Sequence, residues 1–138
     1  MKKAELEKIL PHRDQMLLVD EVIRDGEWAI GTYHVRGDEW FLKGHFPGHP
    51  VVPGVLLCEI LAQSSCVLMR DVLTEGCLPM YTGLNNVKFR APVEPGDVIT
   101  TKCRLKRHMG QFYFAEGSAY VGNTLCVKAD FSFAIVEQ

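Results

Sequence analysis

The chain has 138 residues and a mass of 15.5 kDa, 47% hydrophobic and 23% charged, proportions that fit one soluble domain built round one core. Its net charge of -2 and pI near 6.2 supply no broad cationic field, so neither nucleic acid nor an acidic membrane surface is an expected partner. No run of about eighteen apolar residues is present, and Lys2 and Lys3 precede no apolar stretch, which disfavours membrane spanning and secretion and makes the cytoplasm the expected compartment.

Residues 4 to 10 read as a short helix stopped by Pro11. Residues 17–23 and 27–35 read as two strands, separated by Asp25-Gly26, a strong hairpin dipeptide. From 44 to 54 the texture changes to Gly44-His45-Phe46-Pro47-Gly48-His49-Pro50-Val51-Val52-Pro53-Gly54, whose glycines and prolines forbid regular helix or strand and predict a shaped loop. From Pro53, suited to a first helical turn, an apolar helix runs to about Leu73. The remainder reads as strands at 79–90, 97–107, 111–121 and 124–136, divided by turns at Glu94-Pro95-Gly96-Asp97, Met109-Gly110 and Gly122-Asn123. A helix apolar on most of its circumference needs cover, so the expected fold is α+β: one long buried helix wrapped by an antiparallel sheet of about six strands. The cysteines at 58, 66, 77, 103 and 126 are odd in number and form no C-x-x-C pair, which argues for core packing over disulfides or a zinc ribbon.

Two ionisable residues stand out. Glu59 lies between Cys58 and Ile60 in the apolar helix, where an ionised carboxylate costs several kcal/mol unless paired or neutral. At 100° per residue Gln63 and Arg70 share its direction, giving a thin polar stripe, but eleven positions of rise, about 16 Å, put Arg70 beyond direct contact. His45 sits in a rigid Pro/Gly loop just ahead of that helix, a setting that fixes a side chain as catalysis requires. His45 and His49 are four apart, but Pro47 and Gly48 prevent the helix that would align them on a metal, and no nucleotide or metal motif is present.

The string from Gly44 to Leu56, followed by Glu59 and Ala62-Gln63, resembles the signature of the (3R)-hydroxyacyl-ACP dehydratases of type II fatty-acid synthesis, the FabZ type, in the hot-dog superfamily. Leu10-Pro11-His12-Arg13 with Leu17-Leu18-Val19-Asp20 resembles that family's leading segment, and Val87-Lys88-Phe89-Arg90-Ala91-Pro92-Val93-Glu94-Pro95-Gly96-Asp97 resembles its later strand and turn. The resemblance implies a hot-dog fold, a homodimer often assembled as a trimer of dimers, an acyl tunnel between subunits, and acyl carrier protein as the delivery partner. It implies that His45 and Glu59 meet from different subunits. The Gly54 N–H is then expected to bind the thioester carbonyl, the Val51 carbonyl to orient the histidine, and Gln63 to line the substrate site. Chemically, dehydration needs a base for the C2 proton, a donor for the thioester oxygen and an acid for the C3 hydroxyl. Neutral His45, a buried protonated Glu59 and the Gly54 N–H at a helix N-terminus answer these needs without metal or cofactor.

The chain departs from the family at Asp14-Gln15-Met16, where Tyr-Pro-Phe is usual, and at Asn85-Asn86, which leaves acyl chain length open. A hot-dog acyl thioesterase, a dehydratase that also isomerises its product, and a catalytically silent acyl- or carrier-binding subunit are the competing readings. For docking an acidic carrier the chain offers Lys88, Arg90, Lys102, Arg104, Lys106 and Arg107, of which 102, 104 and 106 would share a strand face.

Overall fold

A strand with one wet face alternates, and the segment from Phe112 to Val121 does so: Tyr113, Ala115, Gly117 and Ala119 are buried, with the residues between them partly exposed. In the computed structural model, which describes residues 1–43, 48–74 and 76–137, this segment belongs to a six-stranded antiparallel sheet. The strands are β1 (Glu21–Asp25), β2 (Trp28–His34), β3 (Cys77–Phe89), β4 (Val98–Met109), β5 (Phe112–Val121) and β6 (Thr124–Glu137). Their spatial order is β1-β2-β4-β5-β6-β3. β3 therefore crosses to the far edge and pairs with β6, from Cys77 opposite Glu137 to Phe89 opposite Val127.

Among the described residues two α-helices accompany the sheet, α1 (Lys3–Leu6) and α2 (Gly54–Ser65). α2 buries Leu57, Cys58 and the whole run from Ile60 to Ser65, packing on β2, β4, β5 and β6. The approach is close. At Gly31 on β2 an added Cβ would stand 2.6 Å from Thr101 Oγ1 and 2.7 Å from Ser64 Oγ, so only glycine lets the sheet meet the helix there. The expected α+β arrangement is therefore present, with α2 as its central helix.

Three boundaries differ from expectation. The helix predicted to run to Leu73 ends at Ser65 and tightens into a 3-10 turn, Cys66–Met69. Ser65 Oγ and Cys66 Sγ both donate to the Ala62 carbonyl, at 2.7 and 3.3 Å, and Cys66 N bonds Gln63 O instead. Arg70, beyond that turn and exposed, is thus not on the helix that carries Glu59. The strand predicted for 17–23 begins only at Glu21: Leu17, Leu18 and Val19 are all buried, so they do not alternate, and they lie in an irregular segment along α2. α1 covers one turn of the helix expected at 4–10.

Cys58, Cys66, Cys103 and Cys126 are buried and all five cysteines are free thiols. Burial pushes those four thiols up, against the thiolate a nucleophile needs. Among the described residues no helix is long and apolar enough to cross a membrane.

Candidate active site

α2 begins without a side-chain cap: its first backbone bonds run from the N–H groups of Leu56 and Leu57 to the Pro53 carbonyl, at 2.9 and 3.2 Å. The Gly54 N–H is therefore not used by the first turn and stands at the positive end of the helix dipole. Gly54 opens onto a groove of ≈ 320 Å³ that it shares with Val51, Val52, Leu57, Phe89 and Arg90. A Cβ on Gly54 would lie 2.5 Å from the Phe89 ring, so glycine keeps this entrance clear. The Val52 N–H donates to the Val93 carbonyl at 2.8 Å and fixes the approach of the half-buried Val51 to the helix.

Glu59 stands elsewhere. It lines a cavity of ≈ 30 Å³, room for a water but not for an acyl chain. β3 walls this cavity with Pro79 and Tyr81, β6 with Phe133, and α2 and its extension with Ala62, Gln63 and Cys66. Tyr81 donates its hydroxyl to the Cys58 carbonyl at 2.6 Å, tying the edge strand to the helix. Burial pushes the Tyr81 phenol above its ordinary range, so it stays a neutral donor.

Gln63, only 1% exposed, is bonded at both ends of its amide. Oε1 accepts from the Leu18 N–H at 2.8 Å, while Nε2 donates to the Met16 carbonyl at 2.8 Å and to Glu59 Oε2 at 3.2 Å. One side chain thus pins the irregular leading segment to α2 and touches the carboxylate one turn away. The same segment delivers His12, whose Nε2 stands 3.4 Å from Glu59 Oε2. Arg13 locks that corner by donating to the carbonyls of Leu10, His12 and Glu7 at 2.7, 2.8 and 2.9 Å.

Of the residues singled out in the sequence, Glu59 and Gln63 are brought together. Gly54 and Val51 meet in a different groove of the same chain, and His45 lies outside the described residues. Sequence reasoning assigned no part to His12 or Tyr81. The Leu10-Pro11-His12-Arg13 string drew the eye, but only the folded chain lays it across α2.

The basic residues divide. Lys102 and Arg104 sit over the Trp28 ring, 4.7 and 4.9 Å from its centroid. Arg104 is also ion-paired with Glu116 and Glu27, Lys106 lies 3.7 Å from Asp130, and Arg107 covers the Phe114 ring. Lys88 and Arg90, both exposed, have no acidic partner within ion-pair distance among the described residues, and Arg90 borders the Gly54 groove.

The profile of the FabA-like domain matches residues 10–130. The chain is 40% identical over 137 residues to the 3-hydroxyacyl-[acyl-carrier-protein] dehydratase FabZ of Natranaerobius thermophilus, covering 97% of this chain and 96% of that protein. It is 41% identical over 139 residues to the protein of the same name from Moorella thermoacetica, covering 96% and 95%. Among solved structures it is similar to the dehydratase heterocomplex ApeI:P of Xenorhabdus doucetiae, with a TM-score of 0.81 at 22% identity over 96% of this chain and 91% of that one. It also resembles the fluoroacetyl-CoA thioesterase FlK, with a TM-score of 0.70 at 18% identity over 83% and 90%. These two likenesses establish the hot-dog fold and nothing finer.

Proposed function

The chain belongs to the FabA-like family, and from that premise we propose that it dehydrates a (3R)-hydroxyacyl chain carried as a thioester on an acyl carrier protein, releasing water and leaving a trans-2-enoyl thioester. The observation that carries the reading is Glu59: one carboxylate, set in an otherwise largely apolar cavity and held through a single oxygen by Gln63. A carboxyl group so placed suits proton delivery to a leaving hydroxyl.

In this reading His45 takes the C2 proton, and the electron pair it leaves forms the C2=C3 double bond as the C3–O bond breaks. The hydroxyl departs with the Glu59 proton as water. The Gly54 N–H receives the negative charge that gathers on the thioester oxygen meanwhile. The Val51 carbonyl holds the imidazole in its tautomer.

A shared site fits the separation of Glu59 from the Gly54 groove within one chain, because a partner's Glu59 would complete the groove of the first. The surface that supports such pairing is β3, a thirteen-residue edge strand with Met80, Leu84 and Phe89 exposed at 52%, 44% and 57%. A long apolar edge of this kind is stabilised by pairing with a second copy. For the carrier protein the favoured landing is Lys88 and Arg90, which have no acidic partner among the described residues and of which Arg90 borders the groove.

The decisive assay supplies 3-hydroxyacyl carrier protein and reads enoyl absorbance and free thiol in one sample. Enoyl product without thiol release is expected. Thiol release without enoyl product would make the protein a thioesterase, and neither product would make it a silent binding subunit.

A further inference from the structure

Among the described residues, both groups that touch the Glu59 carboxylate reach the same oxygen. Gln63 Nε2 donates to Oε2 at 3.2 Å and His12 Nε2 lies 3.4 Å from Oε2, while Oε1 has no partner among the described residues. The opposite face of the His12 ring is equally informative: Nδ1 is buried and without a hydrogen-bond partner among the described residues. An unpaired N–H there would be a lost donor, whereas an unpaired ring lone pair is a smaller loss. The tautomer that suits the site therefore carries its hydrogen on Nε2, facing Glu59.

We propose that His12 is a positioning residue for the reaction: with Gln63 it occupies Oε2 as acceptor, so that the transferable proton of Glu59 resides on Oε1. The inference rests on the reading of Glu59 as the acid. Oε2, which accepts from Gln63 and faces the His12 Nε2 at 3.4 Å, is a poor place for a proton, since an O–H there would face donors instead of an acceptor. The free oxygen is then the acidic one, and the rotation of the carboxyl group is fixed by groups on two elements. His12 is itself fixed by Arg13, and the segment that bears it is fixed by Gln63. The carboxyl is thus oriented before substrate arrives, which is where a positioned acid gains its rate.

The test compares His12→Phe, which keeps the ring volume without a donor, with His12→Gln, whose side-chain N–H reaches the place of Nε2. His12→Phe should lower kcat roughly ten- to hundredfold with KM little changed, and His12→Gln should recover most of the loss. Added to Glu59→Gln, His12→Phe should cost nothing further. If His12→Phe keeps kcat within about twofold of wild type, or if His12→Gln is as impaired as His12→Phe, the ring only packs and the proposal falls. Nitrogen-15 spectra of the unmutated protein serve should either variant fail to fold: a hydrogen on Nε2 of His12 supports the proposal and one on Nδ1 overturns it. A fully active Glu59→Gln would instead overturn the acid assignment itself and take the proposal with it.

Discussion

At the first turn of α2 the polar groups on offer belong to the backbone, open to a broad groove beside Phe89 and Arg90. About one and a half turns further on, they are the side chains of Glu59 and Gln63, tied to a distant segment beside a cavity the size of a water. The two ends handle charge by different means. A backbone N–H at a helix start receives negative charge whatever the side chain, so its requirement is empty space. A carboxyl that must give a proton depends on its own atoms and on the orientation its neighbours impose.

The largest effect should come from replacing an atom at the second place. Glu59→Gln should reduce kcat by about a thousandfold or more while leaving the fold intact. His45→Asn should do the same, and mixing the two inactive proteins under subunit exchange should restore about a quarter of wild-type activity, because half the dimers are mixed and each has one intact site. No recovery, once exchange is verified by mass spectrometry, would place both groups in one chain.

At the helix start a side chain should matter by its bulk alone. Gly54→Ala should drive the Phe89 ring aside and lower kcat on the order of a hundredfold. Pairing it with Phe89→Ala should return part of that rate; an additive loss would show the glycine acting by another route.

Gln63→Leu should expose the dependence of the second place on its distant anchor. It leaves the buried Leu18 N–H unpaired, at a cost of about 1–3 kcal/mol, and removes the bond to the Met16 carbonyl, so denaturant melts should show a stability loss together with a fall in kcat. Smallest of all, Lys88→Glu with Arg90→Glu should raise KM several-fold for carrier-borne substrate and little for a small thioester, a difference that added salt should erase. Equal shifts for both substrates would move the docking surface elsewhere.

Much of the frame was legible in the residues. β2 and β4 to β6 fall within a residue or two of their alternation and turn signals, because alternation reports a half-buried face directly. The run Leu17-Leu18-Val19 looked like strand because apolar residues in sequence suggest burial without saying what satisfies the backbone; here a glutamine on α2 does. The helix end was illegible for a related reason: Ser65 and Cys66 compete for a carbonyl through side chains whose rotamers depend on packing. Glu59 and Gln63 could be paired from helical spacing alone. His12 could not, because no local period connects it to α2.

The wall of the Glu59 cavity also carries a consequence for synthesis. Pro79 and Tyr81 come from β3 but acquire their sheet partner only when β6 is in place, and Phe133 belongs to β6 itself. While the ribosome is still making residues 90 to 123, Glu59 already exists in the nascent chain without its enclosure. The chamber therefore cannot close until β6 has been made, and it closes by a pairing of high sequence separation and correspondingly slow formation.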